Sequence, residues 1–442
     1  MSGFTAHTRK PTRFLGRSYG RGAEDPPAFP KKVIKVLLAH NRYFWPGGED
    51  EVFSREKKLL HREGNEILEY TRDNSEFAQN GILDKIKVGL QTVWSFDSTK
   101  ELRSLLRGER PDVAHFHNTF PLISPGAYYI CQEEGIPVVQ SLYNARLICP
   151  AVTCLREGQV CEDCLGRTLP WPGVVHACYR NSRLQSAAVA GMLMAHRLLR
   201  TWQERVDAYI VATEFFRQKF IAAGWPSEKI FLKPHFLSDD PGMKQGVGSY
   251  ALFMGRLSPE KGVATLLKAW RTLRHVPLWI RGEGPMENHV RRFAEENPSV
   301  RVLPRLSQSE CFDVLKGARF LVWPSEGYAE TFGLVVMEAF ACGTPVIGSR
   351  VGAMEEVLDD KRTGLHFTAG DPEDLAAKAE YAWTHLPEVK EMGRAGRAEY
   401  ESKYTAGPNY QALMRIYGKA IQNRSAAKGS SRAAFHDCWN GR

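Results

Sequence analysis

Ser325–Met354 reads SEGYAETFGLVVMEAFACGTPVIGSRVGAM. An apolar run, RFLVWPS (319–325), leads into it, and a second, PVIGSR (345–350), lies near its end, with a helical pattern between them. Two short apolar runs separated by one helical segment read as a parallel βαβ unit. The same alternation extends outward. Upstream lie YALFMGR (250–256), PLWIRGEG (277–284) and VRVLPRL (300–306), and downstream GLHF (364–367). The N-terminal half repeats it in VIKVLLAH (33–40), EILEY (66–70), DVAHFHN (112–118), PVVQSLYN (137–144), DAYIVAT (207–213) and KIFLKPHF (229–236). Between the halves, LSDDPGMKQGVGS (237–249) is rich in residues that resist regular structure and reads as a linker. The expected architecture is α/β, with two Rossmann-like domains facing across a cleft. Open parallel sheets bind ligands at the carboxyl ends of their strands, so two such sheets can share one deep site.

The chain has 442 residues and a net charge of +9. Residues 1–32 carry a net +5 and residues 423–442 a net +3, which leaves the body of the chain close to neutral. A nucleic-acid groove needs its positive charge on the folded part, so nucleic acid is not an expected partner. No apolar run reaches about 18 residues, and the N-terminus has no continuous apolar core, so neither a membrane span nor a secretory signal is expected. Nine scattered cysteines in such a chain point to a reducing, cytoplasmic setting. Residues 184–205, apolar on much of one helical surface, suit a core helix or a surface lying on a membrane.

Three motifs carry chemistry. Glu330 and Glu338 are separated by seven residues. Thr331, Phe332, Gly333 and Leu334 are expected to form the first turn of a helix, whose free N–H groups suit an anion. Gly333 permits close backbone approach. Eight helical residues span about 12 Å, roughly the reach from a sugar ring across a diphosphate to a ribose. One carboxylate can take hydroxyls of the sugar and the other the ribose diol. A buried helix with two incidental glutamates would show the same spacing, but the flanking P-S-E and A-C-G-T-P-V-I weigh against it. The second motif is Gly255-Arg256-Leu257-Ser258-Pro259-Glu260-Lys261-Gly262, where Arg256 and Lys261 can converge at a strand end and hold a diphosphate without a metal. The third is Gly47-Gly48-Glu49 after the first strand, where backbone N–H groups can face a phosphate.

With these residues in order, the chain resembles a family 4 glycosyltransferase of the GT-B fold. The match runs through Pro46-Gly47-Gly48-Glu49, the segment His115 to Pro125, Gly255 to Gly262, and Glu330 to Glu338. The resemblance implies retaining, metal-independent transfer from a nucleotide-diphosphate sugar, with no cofactor for catalysis, to a glycan or lipid-linked acceptor. It implies work in cell-surface polysaccharide or glycoconjugate synthesis, in the cytoplasm and in peripheral contact with the inner membrane surface. By the same resemblance Arg256, Lys261 and Glu330 are catalytic, Phe332, Gly333 and Leu334 bind the donor, Glu338 takes its ribose, and Gly47 and Gly48 approach its phosphate from the other domain. Relatives carry a histidine where this chain has Tyr143, followed by Asn144, so Tyr143, Asn144 and His117 are the acceptor-side or sugar-proximal candidates. His115 and His117, two apart on a strand, share a face; one lines the acceptor cleft or both are structural. A nucleotide-sugar epimerase, a phosphorylase and a non-catalytic sugar-nucleotide-binding protein are the alternatives.

The implied organisation is a disordered basic tail (1–32), an acceptor-side domain (33–236), a linker (237–249), a donor-binding domain (250–387), C-terminal helices crossing back to the N-terminal domain (388–421), and a disordered tail (422–442). The acceptor-side domain carries a Cys-rich insert at 149–180. There Cys149, Cys161, Cys164 and Cys178 could hold a structural Zn²⁺ tetrahedrally, with Cys154 to spare; free or disulfide-paired thiols are the alternative.

Overall fold

The computed structural model describes residues 33–43, 47–77, 82–328 and 330–440, with side chains described except at 77–87 and 426–440. The basic tail (1–32), Pro46 and residues 441–442 lie outside the described residues.

All twelve apolar runs form strands. The first sheet holds β1 (Lys35–Arg42), β2 (Glu66–Asp73), β3 (Val113–Asn118) and β4 (Val138–Ser141). A two-stranded antiparallel hairpin, β5 (Leu155–Arg156) and β6 (Gln159–Val160), interrupts the series before β7 (Ala208–Val211) and β8 (Ile230–Leu232). The second sheet holds β9 (Tyr250–Met254), β10 (Leu278–Arg281), β11 (Val300–Leu303), β12 (Ala318–Trp323), β13 (Val346–Ser349) and β14 (Gly364–Phe367). Both six-stranded sheets are parallel, with orders β2-β1-β3-β4-β7-β8 and β11-β10-β9-β12-β13-β14.

Each sheet is buried on both faces, which is why its strands read as near-continuous apolar runs. Leu37 and Ala39 enter one core, while Val36 and Leu38 enter another on the opposite face. Phe253 and Leu252 divide in the same way between the two cores of the second sheet. The two orders reverse direction between β1 and β3 and between β9 and β12. A crevice opens at such a switch point because the flanking connections leave toward opposite faces. The loops carrying Gly47-Gly48, Gly255–Gly262 and Pro324–Glu330 all follow strands beside these points.

The last helix, Ala406–Asn440, crosses to the first sheet and packs Leu413, Ile416, Tyr417 and Ala420 with Val36, Leu38 and Val113. Burying each Leu or Ile there contributes about 1.5–3 kcal/mol. This helix also corrects the expected disordered tail from 422, since its backbone is helical through Asn440. A helix nucleated by tertiary packing extends cheaply through a proline-free segment with four alanines. The apolar stretch 184–205 is two helices, Arg183–Leu198 and Thr201–Glu204, broken at Arg200, whose φ is 52°. Val189, Met192, Leu193 and His196 turn into the core. Among the described residues no helix is long and apolar enough to cross a membrane.

Candidate active site

The loops after β9 and β12 are joined at the switch point of the second sheet. Glu326 N donates to Glu260 O at 2.9 Å. Gly262, at φ 67°, lies so close to the end of β12 that a Cβ there would sit 1.9 Å from Pro324 O. This contact brings the short turn Pro259–Lys261 beside the loop of Glu330. Lys261 Nζ donates to Glu330 Oε1, and the same oxygen accepts from Ser325 Oγ at 2.9 Å and Trp323 Nε1 at 3.1 Å. Burial alone would push the Glu330 carboxyl up; the Lys261 ammonium and these donors outweigh it and hold it below the usual carboxylate range. Arg256 is exposed in the same loop and, among the described residues, makes no ion pair with Glu330.

The helix after Glu330 begins later than expected. It spans Leu334–Ala341 and is N-capped by Gly333, while Thr331 and Phe332 precede it. Gly333 adopts φ 88°, and a Cβ on it would lie 2.3 Å from Trp323 Cζ2, so the chain turns sharply before the helix starts. Glu330 and Glu338 therefore do not share a helix. Phe332 is buried between His235, at 5.0 Å, and Tyr404, at 5.4 Å, between ring centroids. Thr331 bridges the sheets: its Oγ1 donates to Tyr143 O at 3.0 Å, and its carbonyl accepts from Thr213 Oγ1 at 3.0 Å.

From the first sheet, Gly47 caps the helix Gly48–Arg62, with its N–H donating to Asp50 Oδ2 at 2.8 Å. A Cβ on Gly48 would lie 3.2 Å from Leu334 Cδ1, so the first turns of the two helices face each other. Glu49 Oε1 accepts from Asn144 Nδ2 at 2.6 Å. Helix starts carry partial positive charge and unpaired N–H groups, and two of them facing across a narrow gap favour an anion there.

Glu338 is engaged from the opposite sheet. Arg55 Nη2 lies 2.8 Å from Glu338 Oε1, while Arg55 Nε donates to Glu51 Oε1 at 2.9 Å. Burial raises the Glu338 carboxyl, and Arg55 pulls it partly back. Arg55 was not a sequence candidate. It is one of several charged residues on an amphipathic helix, and nothing in its local sequence marks it out. Trp323 and Ser325, in contrast, stand in the segment that carries Glu330.

The histidines lie behind the cleft. His117 Nδ1 meets the Tyr143 hydroxyl at 2.6 Å, and His115 Nδ1 and Nε2 meet Tyr417 and Ser141 hydroxyls, each at 2.8 Å. Both rings are buried, and burial holds both well below the usual histidine range. The Tyr143 hydroxyl is directed inward to His117. Sequence could show that two strand histidines share a face, but not that the face was covered by Tyr417 from the last helix. Lys233 Nζ donates to the buried Glu56, which lies 3.3 Å from His117 Nε2. Glu56, His115 and His117 are, among the described residues, the one set whose ligand atoms lie within 4.8 Å of one another. Lys233 already supplies the cation there, and both nitrogens of His115 are taken by hydroxyls, so the set does not suit a metal. Cys149, Cys161, Cys164 and Cys178, with Cys154, line one small cavity apart from the cleft, and no three of their sulfurs lie within 4.8 Å.

Residues 248–385 match the family described as glycosyl transferases group 1. The chain is 29% identical over 175 residues to an uncharacterised glycosyltransferase of Methanocaldococcus jannaschii, covering 39% of this chain and 49% of that protein. It is 35% identical over 157 residues to the D-inositol 3-phosphate glycosyltransferase of Pseudarthrobacter chlorophenolicus, covering 33% and 37%. The chain thus spans about half or less of these curated relatives. Among solved structures, Anabaena HepE in complex with UDP and glucose aligns at a TM-score of 0.60 and 15% identity, over 87% of this chain and 99% of that one. Sucrose-phosphate synthase from Thermosynechococcus elongatus aligns at 0.62 and 16%, over 89% and 100%. The chain has the GT-B fold, and its second sheet lies within residues 248–385, the part similar to the glycosyl transferases group 1 family.

Proposed function

We propose that the protein is a retaining, metal-independent glycosyltransferase, which takes a sugar from a nucleotide-diphosphate donor and moves it to a glycan or lipid-linked acceptor. The observation that carries this reading is the approach of Gly48 to Leu334, which brings two helix starts to the switch points of two sheets beside the Lys261–Glu330 pair. The donor lies along that line in this reading. Glu330 accepts from the sugar's hydroxyls, Lys261 and Arg256 neutralise the diphosphate, Gly47 and Gly48 face its outer phosphate, and Glu338 exchanges Arg55 for the ribose diol. The bond from the anomeric carbon to the leaving phosphate oxygen breaks. The acceptor oxygen bonds to the same face of that carbon, and its proton passes to the departing phosphate. Fixed side-chain charge and helix amides stabilise the leaving group, as a metal would in other designs.

The reading also places the enzyme in the cytoplasm, peripheral to the inner membrane surface, in cell-surface polysaccharide or glycoconjugate synthesis. HepE, solved with UDP-glucose, makes that sugar nucleotide the first donor to test. A ligand at about 100 times its Kd stabilises its protein by about 2.7 kcal/mol. A thermal-shift panel of nucleotide sugars is therefore expected to raise Tm for at least one, with transfer insensitive to chelator and the anomeric configuration kept. A panel without any shift overturns the reading.

One observation favours a second reading. The Tyr143 hydroxyl is bonded to His117, so this position offers the donor no polar group of the kind that relatives' histidine supplies. A non-catalytic sugar-nucleotide-binding protein would shift in the panel but transfer nothing to any acceptor.

A further inference from the structure

Away from the cleft, the insert between β4 and β7 gathers five cysteines. Cys149, Cys154, Cys161, Cys164 and Cys178 line one cavity of about 10 Å³. That is room for one ion or at most one water. Cys149, Cys154 and Cys164 are buried, and all eight described cysteines are unpaired. Regular structure in the segment is limited to the β5–β6 hairpin and the five-residue helix Trp171–Val175. An irregular segment of about 30 residues rarely stays ordered without a cross-link.

The insert also touches the donor loop. Gly327, at φ 63°, leaves no room for a Cβ, which would lie 2.7 Å from Leu155 Cδ1 on the hairpin. Lys219 bonds Glu162, inside the Cys161–Cys164 turn, and its Nζ lies 4.9 Å from the centre of the Tyr328 ring. The hairpin and the turn therefore brace Gly327 and Tyr328, close before Glu330 in the chain.

We propose that Cys149, Cys161, Cys164 and Cys178 bind one zinc ion, and that this ion holds the hairpin against the loop that presents Glu330. Four thiolates around a small, largely apolar cavity suit a soft, tetrahedral, redox-inert cation. Cys161 and Cys164 stand three apart on one turn, the C-x-x-C spacing of a zinc knuckle, and Cys149 and Cys178 line the same cavity with them. Cys154 lines it too and is the spare thiol in this set. The sulfurs must close in to about 2.3 Å from the ion, and each ligating thiol releases its proton to water.

The test is metal content and spectroscopy on the full-length protein, purified under reducing conditions without chelator. About one zinc per chain is expected. Replacement of zinc by Co²⁺ is expected to give a strong thiolate-to-cobalt charge-transfer band with the d–d pattern of tetrahedral sites. The double variant Cys161→Ser/Cys164→Ser is expected to lose the ion, and Cys154→Ser to keep it. Folded wild-type protein without zinc, or a pale octahedral cobalt spectrum, overturns the site, and loss of metal from Cys154→Ser overturns the ligand set. The wild-type cobalt spectrum decides the question even if the cysteine variants fail to fold. For the brace, stripping the metal is expected to speed amide exchange in peptides covering 325–331; unchanged exchange overturns it. None of these readouts depends on glycosyl transfer.

Discussion

Arg55 and Glu338, 283 positions apart, meet at 2.8 Å between Nη2 and Oε1, with only 6% and 16% of their side chains exposed. This ion pair ties the first helix of one sheet to the helix that follows Glu330 in the other. Breaking it leaves a mostly buried carboxylate without its partner.

Arg55→Met is therefore expected to cost about 1–3 kcal/mol of stability near neutral pH, read from urea unfolding. The sign of its pH dependence follows from Glu338. Burial raises this carboxyl above its unfolded value, so the folded state holds the proton more tightly. Its contribution is fully present below the unfolded pKa and is lost as pH rises through the folded one. Without Arg55 the folded value rises further, so the variant should recover stability on acidification. Glu338→Gln in the same background should abolish that recovery; a variant equally unstable at every pH would refute the account.

Lys261→Ala and Glu330→Ala are each expected to lower kcat/KM by at least about 2 kcal/mol, roughly 30-fold, as is usual when a charged contact to a developing charge is removed. Glu330 is held below the usual carboxylate range, so it stays charged, and paired with Lys261, to lower pH than an ordinary glutamate. The stability this pair contributes is present above the unfolded pKa and fades as pH falls through the depressed folded value. Near-wild-type rates in either variant, measured by donor turnover, would remove these roles.

Gly262→Ala is expected to destabilise by more than about 2 kcal/mol, because its left-handed backbone and the approach of Pro324 O to 1.9 Å from the added Cβ both resist a side chain. Gly108→Ala is the control. It lies in the helix Phe96–Glu109 with nothing within 4 Å of the added Cβ, so it should be neutral or stabilise by about 0.5–1 kcal/mol. Equal Tm changes for the two would contradict the close approach at β12.

Lys233 and Glu56, at 2% and 1% side-chain exposure, form a buried ion pair beside His117. Lys233→Met alone is expected to cost about 3–5 kcal/mol by stranding the Glu56 charge. Adding Glu56→Gln should return much of that loss, because the double variant buries no net charge. A strictly additive double-mutant cycle would show that the pair is not coupled.

The strand pattern and the meeting of Lys261 with Glu330 are legible in the order of the residues. Apolar runs of strand length, a linker between them and charged residues just past two strand ends place both groups at one switch point. The start of the following helix is not legible there, since it depends on Trp323 lying against Gly333 and forcing a sharp turn. The inward aim of the Tyr143 hydroxyl is equally hidden, because His117 comes from a neighbouring strand and Tyr417 of the last helix covers His115 beside it.

Periodicity and turn chemistry are local, so the residues alone settled two parallel sheets and the strand ends that carry Lys261 and Glu330. Which charge faces which was decided by packing: Arg55 on Glu338, Gly48 against Leu334 and Leu155 against Gly327 each join segments far apart in the chain. Such contacts exist only once both sheets are assembled, because close packing across their boundary, and not any property of the neighbouring sequence, selects the partner.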